Sequence, residues 1–118
     1  MKNLAPNLVR QRLLIEGFYK IRVDRKAIKR YFSEITRALK LQMYGKPVIF
    51  SPGGLGKGKN QGYDAFVPLI DSGISVYIWS DAKFASIVLY TCKGFDKKAA
   101  LRVTGKFFRI DAIESMSF

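Results

Sequence analysis

Residues 63–92, YDAFVPLIDSGISVYIWSDAKFASIVLYTC, decide the fold. Three apolar runs rich in Val, Ile, Phe, Tyr and Trp follow one another here, and these residue types favour a pleated, half-buried surface. The polar breaks between the runs, at 71–73 and 80–83, are too short for a parallel crossover, which needs a dozen or more residues. The stretch is therefore predicted to form three consecutive antiparallel strands.

Further elements are predicted on both sides of this stretch. In chain order they are a strand at 12–23, a helix at 25–41, a strand at 44–51 and a helix at 96–108. Asp24 and Asp96 stand at the N-cap positions of the two helices, and Pro47 favours an edge position for the strand that contains it. Gly17 is expected to mark a bulge or a close approach. The tail is expected either to add a short edge strand or to stay loose.

This order predicts an α+β fold, a two-layer sandwich in which an antiparallel sheet carries both helices on one face. The second face of the sheet must then be polar or covered. Apolar strand residues make a fully solvated second face unfavourable, among them Val67, Val76, Tyr77, Trp79 and Val88. A second copy of the chain packed on that face is the first expectation.

The composition bounds the class of protein. A chain of 118 residues with 48% hydrophobic content is predicted to be one ordered domain, residues 1–118. No apolar run reaches the roughly 18 residues of a membrane helix, and no signal peptide is recognisable. A single cysteine without an export signal fits a reducing cytoplasm. The absence of histidine excludes imidazole chemistry within the chain.

Two basic features have competing explanations. The net charge of +12 serves solubility or attracts anions, and nucleic-acid binding is the less favoured explanation because the basic residues are spread along the sequence. In the glycine-rich segment 52–62, residues 53–59 match the GxxxxGK pattern of a phosphate-binding loop. Asn60 stands where that motif needs Ser or Thr, and no helix is predicted after it, so a hairpin loop or a lid is favoured.

Few residues in the chain are suited to catalysis. Ser72 lies in a turn after Asp71, Asp81 follows in the next turn, and Cys92 stands at a strand end. Each has an ordinary explanation, because Ser and Asp are common turn residues and a lone Cys is most often a small buried apolar residue.

Taken together, these residues resemble the short prokaryotic S-adenosylmethionine decarboxylases. The resemblance runs from the predicted strand at 13–23 through the second helix and is strongest over 62–108. It implies that the Asp71–Ser72 bond cleaves itself and that Ser72 becomes a pyruvoyl cofactor. It also implies that Cys92, in LYTCKGFD, donates a proton to the product, and that Trp79 and Asp81 bind the substrate, with the acid on the ribose. Family members of this size form homodimers.

The chain departs from the family pattern around the cleavage site. Gly73 and Tyr77 stand where the family has histidines, Asp64 stands where it has a serine, and Asp71 replaces a glutamate. In one interpretation the protein is a divergent decarboxylase of S-adenosylmethionine or another amino acid in polyamine biosynthesis, with Asp64 or Tyr77 taking part in processing. In the other it is an unprocessed, inactive relative that acts as a ligand-binding or regulatory partner. A basic nucleic-acid-binding module is the third alternative, and a metal site is not expected.

Overall fold

The computed structural model describes residues 1–52 and 61–118. The elements, in chain order, are β1 (Gln11–Phe18), α1 (Arg25–Ala38), β2 (Val48–Phe50), β3 (Gly62–Leu69), β4 (Ser72–Trp79), β5 (Phe84–Thr91), α2 (Lys97–Phe108) and β6 (Glu114–Ser117). Across these residues the strands form one antiparallel sheet in the order β2-β3-β4-β5-β1-β6. The predicted α+β fold and its three consecutive antiparallel strands are confirmed.

The core lies between the two helices and one face of the sheet. Alternate strand residues point into it, which is the period of two that a half-covered sheet requires. The fully buried side chains include Ile15 of β1, Val67 of β3, Ile74 and Val76 of β4, Ile87 and Leu89 of β5, Ile28, Phe32 and Ile35 of α1, and Phe108 of α2. Val67 and Val76 therefore belong to the covered face. The sequence-based prediction that placed both on the second face is wrong.

Helix α1 begins as predicted and ends earlier than predicted. The Asp24 carboxylate accepts a hydrogen bond from the Ala27 N–H at 2.8 Å, and this bond, followed by nearby arginine charge, lowers the pKa of Asp24. The helix stops at Ala38 because Lys40 adopts a positive φ of 56°. The Leu41 N–H then donates to the Thr36 carbonyl at 2.8 Å, which closes a Schellman cap.

Strand β1 is shorter than the predicted strand at 12–23. Phe18 pairs with Phe84, the first residue of β5, so the sheet offers no partner beyond it. The Tyr19 N–H instead donates to the Lys83 carbonyl at 2.8 Å, and the chain turns toward α1. The Gly17 position is a close approach without a bulge, because a Cβ there would lie 2.3 Å from the Ile110 side chain.

The remaining predictions have mixed outcomes. The strand expected at 44–51 is reduced to the three residues of β2, which do lie at an edge of the sheet. The tail forms the other edge strand, β6, paired with β1. Helix α2 follows Asp96, whose carboxylate accepts from the Ala99 N–H at 3.2 Å. The GxxxxGK segment lies outside the described residues. Within the part of the chain that is described, no helix has the length and hydrophobicity needed to cross a membrane.

The two helices are joined by a buried polar contact. The Tyr31 hydroxyl on α1 and the Thr104 hydroxyl on α2 lie 2.8 Å apart, and both residues are fully buried. Burial raises the pKa of Tyr31, and the hydrogen bond with Thr104 opposes that shift only in part. The phenol is therefore neutral and acts as a structural link between the helices.

This contact generates a stability prediction. The Tyr31→Phe variant leaves the buried Thr104 hydroxyl without its partner, which should lower the free energy of unfolding by about 1–3 kcal/mol. Urea denaturation measures the change. The Tyr31→Phe/Thr104→Val double variant removes both polar groups and should lose less than the sum of the single variants. A Tyr31→Phe protein within about 0.3 kcal/mol of the wild type would contradict this role for the contact.

Candidate functional site

Ser72 begins β4 directly after a tight turn. Leu69 pairs with Ser72, so the β3–β4 turn consists of Ile70 and Asp71 alone. Asp71 has a positive φ of 55°, a conformation that Asp tolerates better than most residues and that still stores backbone strain. The turn thus starts one residue before the predicted break at 71–73 and ends two residues before that break ends, which leaves the Asp71–Ser72 peptide bond at the junction of turn and strand.

Cys92 meets this junction from the neighbouring strand. Its backbone N–H lies 3.3 Å from Ser72 Oγ and 3.2 Å from the Asp71 carbonyl oxygen, and it donates to both. The contact follows from the register, because Ser72 pairs with Thr91, the last residue of β5. One donor therefore contacts both the hydroxyl and the carbonyl that a self-cleavage reaction would join.

A cleft of about 410 Å³ opens beside these residues. Its lining consists of Phe66, Asp71, Ser72, Gly73, Ser75, Val88, Tyr90 and Cys92. Cys92 is exposed, whereas its backbone N–H is hydrogen-bonded to Ser72 Oγ and to the Asp71 carbonyl. Three of the predicted site residues, Asp71, Ser72 and Cys92, are thus brought together at one cleft.

Gly73 lies under an aromatic ring. A Cβ at position 73 would lie 2.7 Å from two ring atoms of Phe66, so any larger side chain requires that ring to move. Phe66 thus occupies the space into which a histidine side chain at 73 would project. The glycine and the phenylalanine form one local arrangement of the cleft.

Asp64 and Tyr77 lie together in a second, adjoining cleft. They are direct cross-strand partners of β3 and β4. This cleft has a volume of about 330 Å³, and its lining is Val48, Phe50, Asp64, Ala65, Phe66, Ser75 and Tyr77. Phe66 and Ser75 belong to both clefts, so the two form a continuous depression.

Within one chain the predicted residues do not form a single cluster. Tyr77 lies five residues along β4 from Ser72, which is about 17 Å of extended strand. Trp79 ends β4 about 23 Å from Ser72, packed on Phe84 with ring centroids 5.5 Å apart. Asp81 lies beyond it, exposed in the β4–β5 turn. Within one chain, Ser72 and Cys92 share a cleft, whereas Asp81 lies at the opposite end of β4.

Both clefts lie on the face of the sheet that the helices leave uncovered, termed here the outer face. Its strands present large apolar side chains to solvent: Phe18, Val48, Phe50, Phe66, Tyr77, Tyr90 and Met116 are all at least 39% exposed. Leu14 and Val88 lie between them as cross-strand partners. An apolar surface of this extent marks an interaction site.

Acidic side chains cross the middle of the outer face. The registers place Asp64, Tyr77, Ser86, Glu16 and Glu114 side by side on five neighbouring strands. The Ser86 hydroxyl donates to Glu16 Oε2 at 2.7 Å. Sequence reasoning missed Glu16 and Ser86, as it missed Phe66 and Tyr90 beside Ser72. The alternation of apolar and polar residues in the sequence could have placed these four residues on the outer face. Only the strand register shows which residues lie next to them.

Two comparisons with known proteins point to the same relationship. The family model described as S-adenosylmethionine decarboxylase matches residues 16–118. Comparison with curated protein sequences finds no match. Among solved structures, the chain is similar to the crystal structure of the adenosylmethionine decarboxylase from Aquifex aeolicus VF5, with a TM-score of 0.69 and 17% sequence identity. The match covers 94% of this chain and 89% of that one, and at this identity it supports the fold alone.

The family match spans nearly the whole chain, including both clefts and the turn before Ser72, and the fold agrees with it. The chain therefore belongs to the S-adenosylmethionine decarboxylase family.

Proposed function

We propose that the protein is a pyruvoyl-dependent decarboxylase that cleaves its own chain between Asp71 and Ser72. The observation that supports the proposal best is the pair of hydrogen bonds donated by the Cys92 N–H, one to Ser72 Oγ and one to the Asp71 carbonyl. A backbone donor on a carbonyl stabilises the negative charge that develops there when a nucleophile attacks. The positive φ of Asp71 adds strain at the same bond.

The cleavage would proceed through the serine hydroxyl. Ser72 Oγ attacks the Asp71 carbonyl carbon and loses its proton, and the acyl group moves from the Ser72 nitrogen to Oγ. Elimination then breaks the bond between Oγ and Cβ and releases the Asp71 carboxyl group. One water molecule converts the remaining unsaturated residue into the pyruvoyl group, and ammonia leaves. The products are chains of residues 1–71 and 72–118.

The residues around Ser72 fit such a group. A pyruvoyl group supplies an electron sink for the loss of carbon dioxide from an amino acid bound to it. The 410 Å³ cleft beside Ser72 has room for a small substrate. Cys92 lines this cleft and is exposed, so its thiol is available to protonate the product. The proposed substrates are S-adenosylmethionine or another amino acid, and the proposed pathway is polyamine biosynthesis.

A homodimer is the second part of the proposal. The outer face exposes seven large apolar side chains, and a two-fold axis would place the same face of a second copy against them. An axis between two such sheets and perpendicular to the strands lays the Ser72 end of one sheet against the Trp79 end of the other. This arrangement shortens the separations of about 17–23 Å that divide the predicted residues within one chain.

In such a dimer each cleavage site draws on both copies. Ser72 and Cys92 come from one copy, while Asp64 and Tyr77 of the second copy take part in processing. Trp79 and Asp81 of the second copy bind substrate. Neither group of residues is sufficient alone. Under this proposal, cleavage and decarboxylation therefore require the dimer.

The alternative function is that of an unprocessed relative. The family assigns proton transfer during cleavage to histidine, and this chain has none. The position of Gly73 under Phe66 leaves no room for one without a shift of the ring. Under this alternative the two clefts bind a ligand or regulate a partner, and the Asp71–Ser72 bond stays intact.

Intact mass spectrometry distinguishes the two functions. Purified protein should contain fragments 1–71 and 72–118, with the second bearing a carbonyl that reacts with a hydrazine reagent. The Ser72→Ala variant should remain uncut because it lacks the nucleophile, whereas the Ser75→Ala variant, altered two residues past Gly73 in the same cleft, should be cut normally. A wild-type chain of intact mass would exclude the enzyme and favour the unprocessed relative.

Sedimentation measures the proposed dimer. The molecular mass of the wild type measured by sedimentation should be twice the 13.4 kDa of the chain. The Val88→Glu variant places a charge in the middle of the outer face and should shift the protein to monomer at micromolar concentration, since burial of an unpaired charge is costly. The Ser33→Glu control adds the same charge on the exposed side of α1 and should remain dimeric. A Val88→Glu dimer of unchanged stability would place the interface elsewhere.

A further inference from the structure

The side of the molecule opposite the outer face is strongly basic. The exposed positions of α1 and α2 carry nine of the chain's 21 Lys and Arg residues, namely Arg25, Lys26, Lys29, Arg30 and Arg37 with Lys97, Lys98, Arg102 and Lys106. Glu34 is the one acidic residue within the two helices. We term these nine side chains the basic layer.

The two helices form a single surface. They pack side by side through the Tyr31–Thr104 hydrogen bond and through Phe107, whose ring contacts Tyr31 at 5.5 Å between centroids. The Arg30 guanidinium lies over the same Phe107 ring at 5.9 Å, across the helix boundary. Residues separated by more than 70 positions in sequence are therefore neighbours. The basic residues of the two helices, which are far apart in the sequence, lie on one surface of the folded protein.

The helices run antiparallel, so the basic layer extends over its full length. The Lys20 N–H, just before α1, donates to the Phe108 carbonyl at the end of α2 at 3.0 Å. At the other end Lys93 Nζ donates to the Lys40 carbonyl at 3.0 Å. Helices of 14 and 12 residues span about 18–21 Å. Cations thus occupy both ends and the middle of a surface about 20 Å long.

The positive charge of the basic layer is offset only in part within the protein, by Asp24, whose pKa the Arg30 charge helps to lower, and by Glu34 on α1. In residues 1–52 and 61–118 the ion pair is that of Lys20 with Asp111, and no member of the layer takes part in it. Both helices also begin with two cations and have no acid in the first turn, where the helix dipole disfavours positive charge. The N-cap carboxylates of Asp24 and Asp96 offset part of this repulsion, and the remaining positive charge of the layer is available to an external anion.

The shape and composition of the surface select the kind of anion. A small anion contacts two or three cations, whereas nine cations spread over two adjacent helices about 20 Å long match a polymer with regularly spaced charges. An amphipathic helix that binds lipid inserts large apolar side chains. None of the exposed large apolar residues of the described chain lies on α1 or α2, whose apolar sides are buried on the sheet.

We propose that the basic layer binds the phosphate backbone of nucleic acid without regard to sequence. The interaction goes beyond decarboxylation and does not depend on cleavage before Ser72, because the layer and the clefts lie on opposite faces of the sheet. In the proposed dimer both layers face outward.

Fluorescence anisotropy with a labelled DNA duplex tests the proposal on the full chain. The affinity should fall steeply between about 50 mM and 200 mM salt, because phosphate contacts release counterions. The triple variant Lys29→Gln/Lys98→Gln/Lys106→Gln should bind at least about tenfold more weakly and lower the salt slope by about 2–3. The control Lys2→Gln/Lys46→Gln/Lys83→Gln removes the same charge outside the layer and should change the affinity less than about twofold.

Several results would overturn the proposal: no duplex binding at about 50 mM salt, an affinity insensitive to salt, or equal losses in the two triple variants. Tighter binding to phosphatidylserine vesicles or to a polyglutamate peptide than to the duplex would assign the surface to a lipid or to an acidic protein. Lysine acetylation of the wild type provides a test without substitutions. The duplex should protect Lys29, Lys98 and Lys106 and leave Lys2, Lys46 and Lys83 reactive, and uniform protection or none would contradict the assignment.

Discussion

The structure depends on a six-stranded antiparallel sheet that two helices cover on one face only. The covered face supplies the core, in which Ile74, Val76 and Ile87 are fully buried against α1 and α2. The outer face is apolar as well, with Phe50 65% and Phe66 44% exposed. A sheet that is apolar on both faces and covered on one presents an interaction surface on the other. The two clefts and the row formed by Asp64, Glu16 and Glu114 lie on that uncovered face.

The chemistry of the candidate site is set by the strand register. Because Leu69 pairs with Ser72 and Ser72 pairs with Thr91, the peptide bond after Asp71 lies against the Cys92 N–H. A shift of one residue would turn the Ser72 side chain to the other side of the sheet. The same register separates Ser72 from Tyr77 by five strand positions. One constraint therefore brings the proposed nucleophile to its donor and also keeps Asp64 and Tyr77 away from both within one chain.

The sequence was sufficient for the fold and for the groups within a few residues of Ser72. Period-two runs and short breaks predicted the strands, and Asp24 and Asp96 marked the helix starts that the structure confirms. Strand ends could not be predicted, because β1 stops at Phe18 only where β5 offers no further partner. The separation of Asp81 from Ser72 was implicit in the predicted breaks at 71–73 and 80–83, which place the two residues at opposite ends of β4. The basic layer could not be predicted from the sequence, because it appears only when α1 and α2 pack antiparallel.

In the proposed dimer the outer faces of two copies meet, and each copy completes the other's cleavage site. Co-expression of a mass-tagged Ser72→Ala chain with an Asp64→Asn/Tyr77→Phe chain tests this arrangement most directly, with intact mass as the measurement. Each variant alone should stay uncut, whereas in mixed dimers the chain that retains Ser72 should be cut, because its partner supplies Asp64 and Tyr77. A mixture as uncut as the separate variants, alongside a cleaved wild type, would show that these residues act within one chain and would contradict the account.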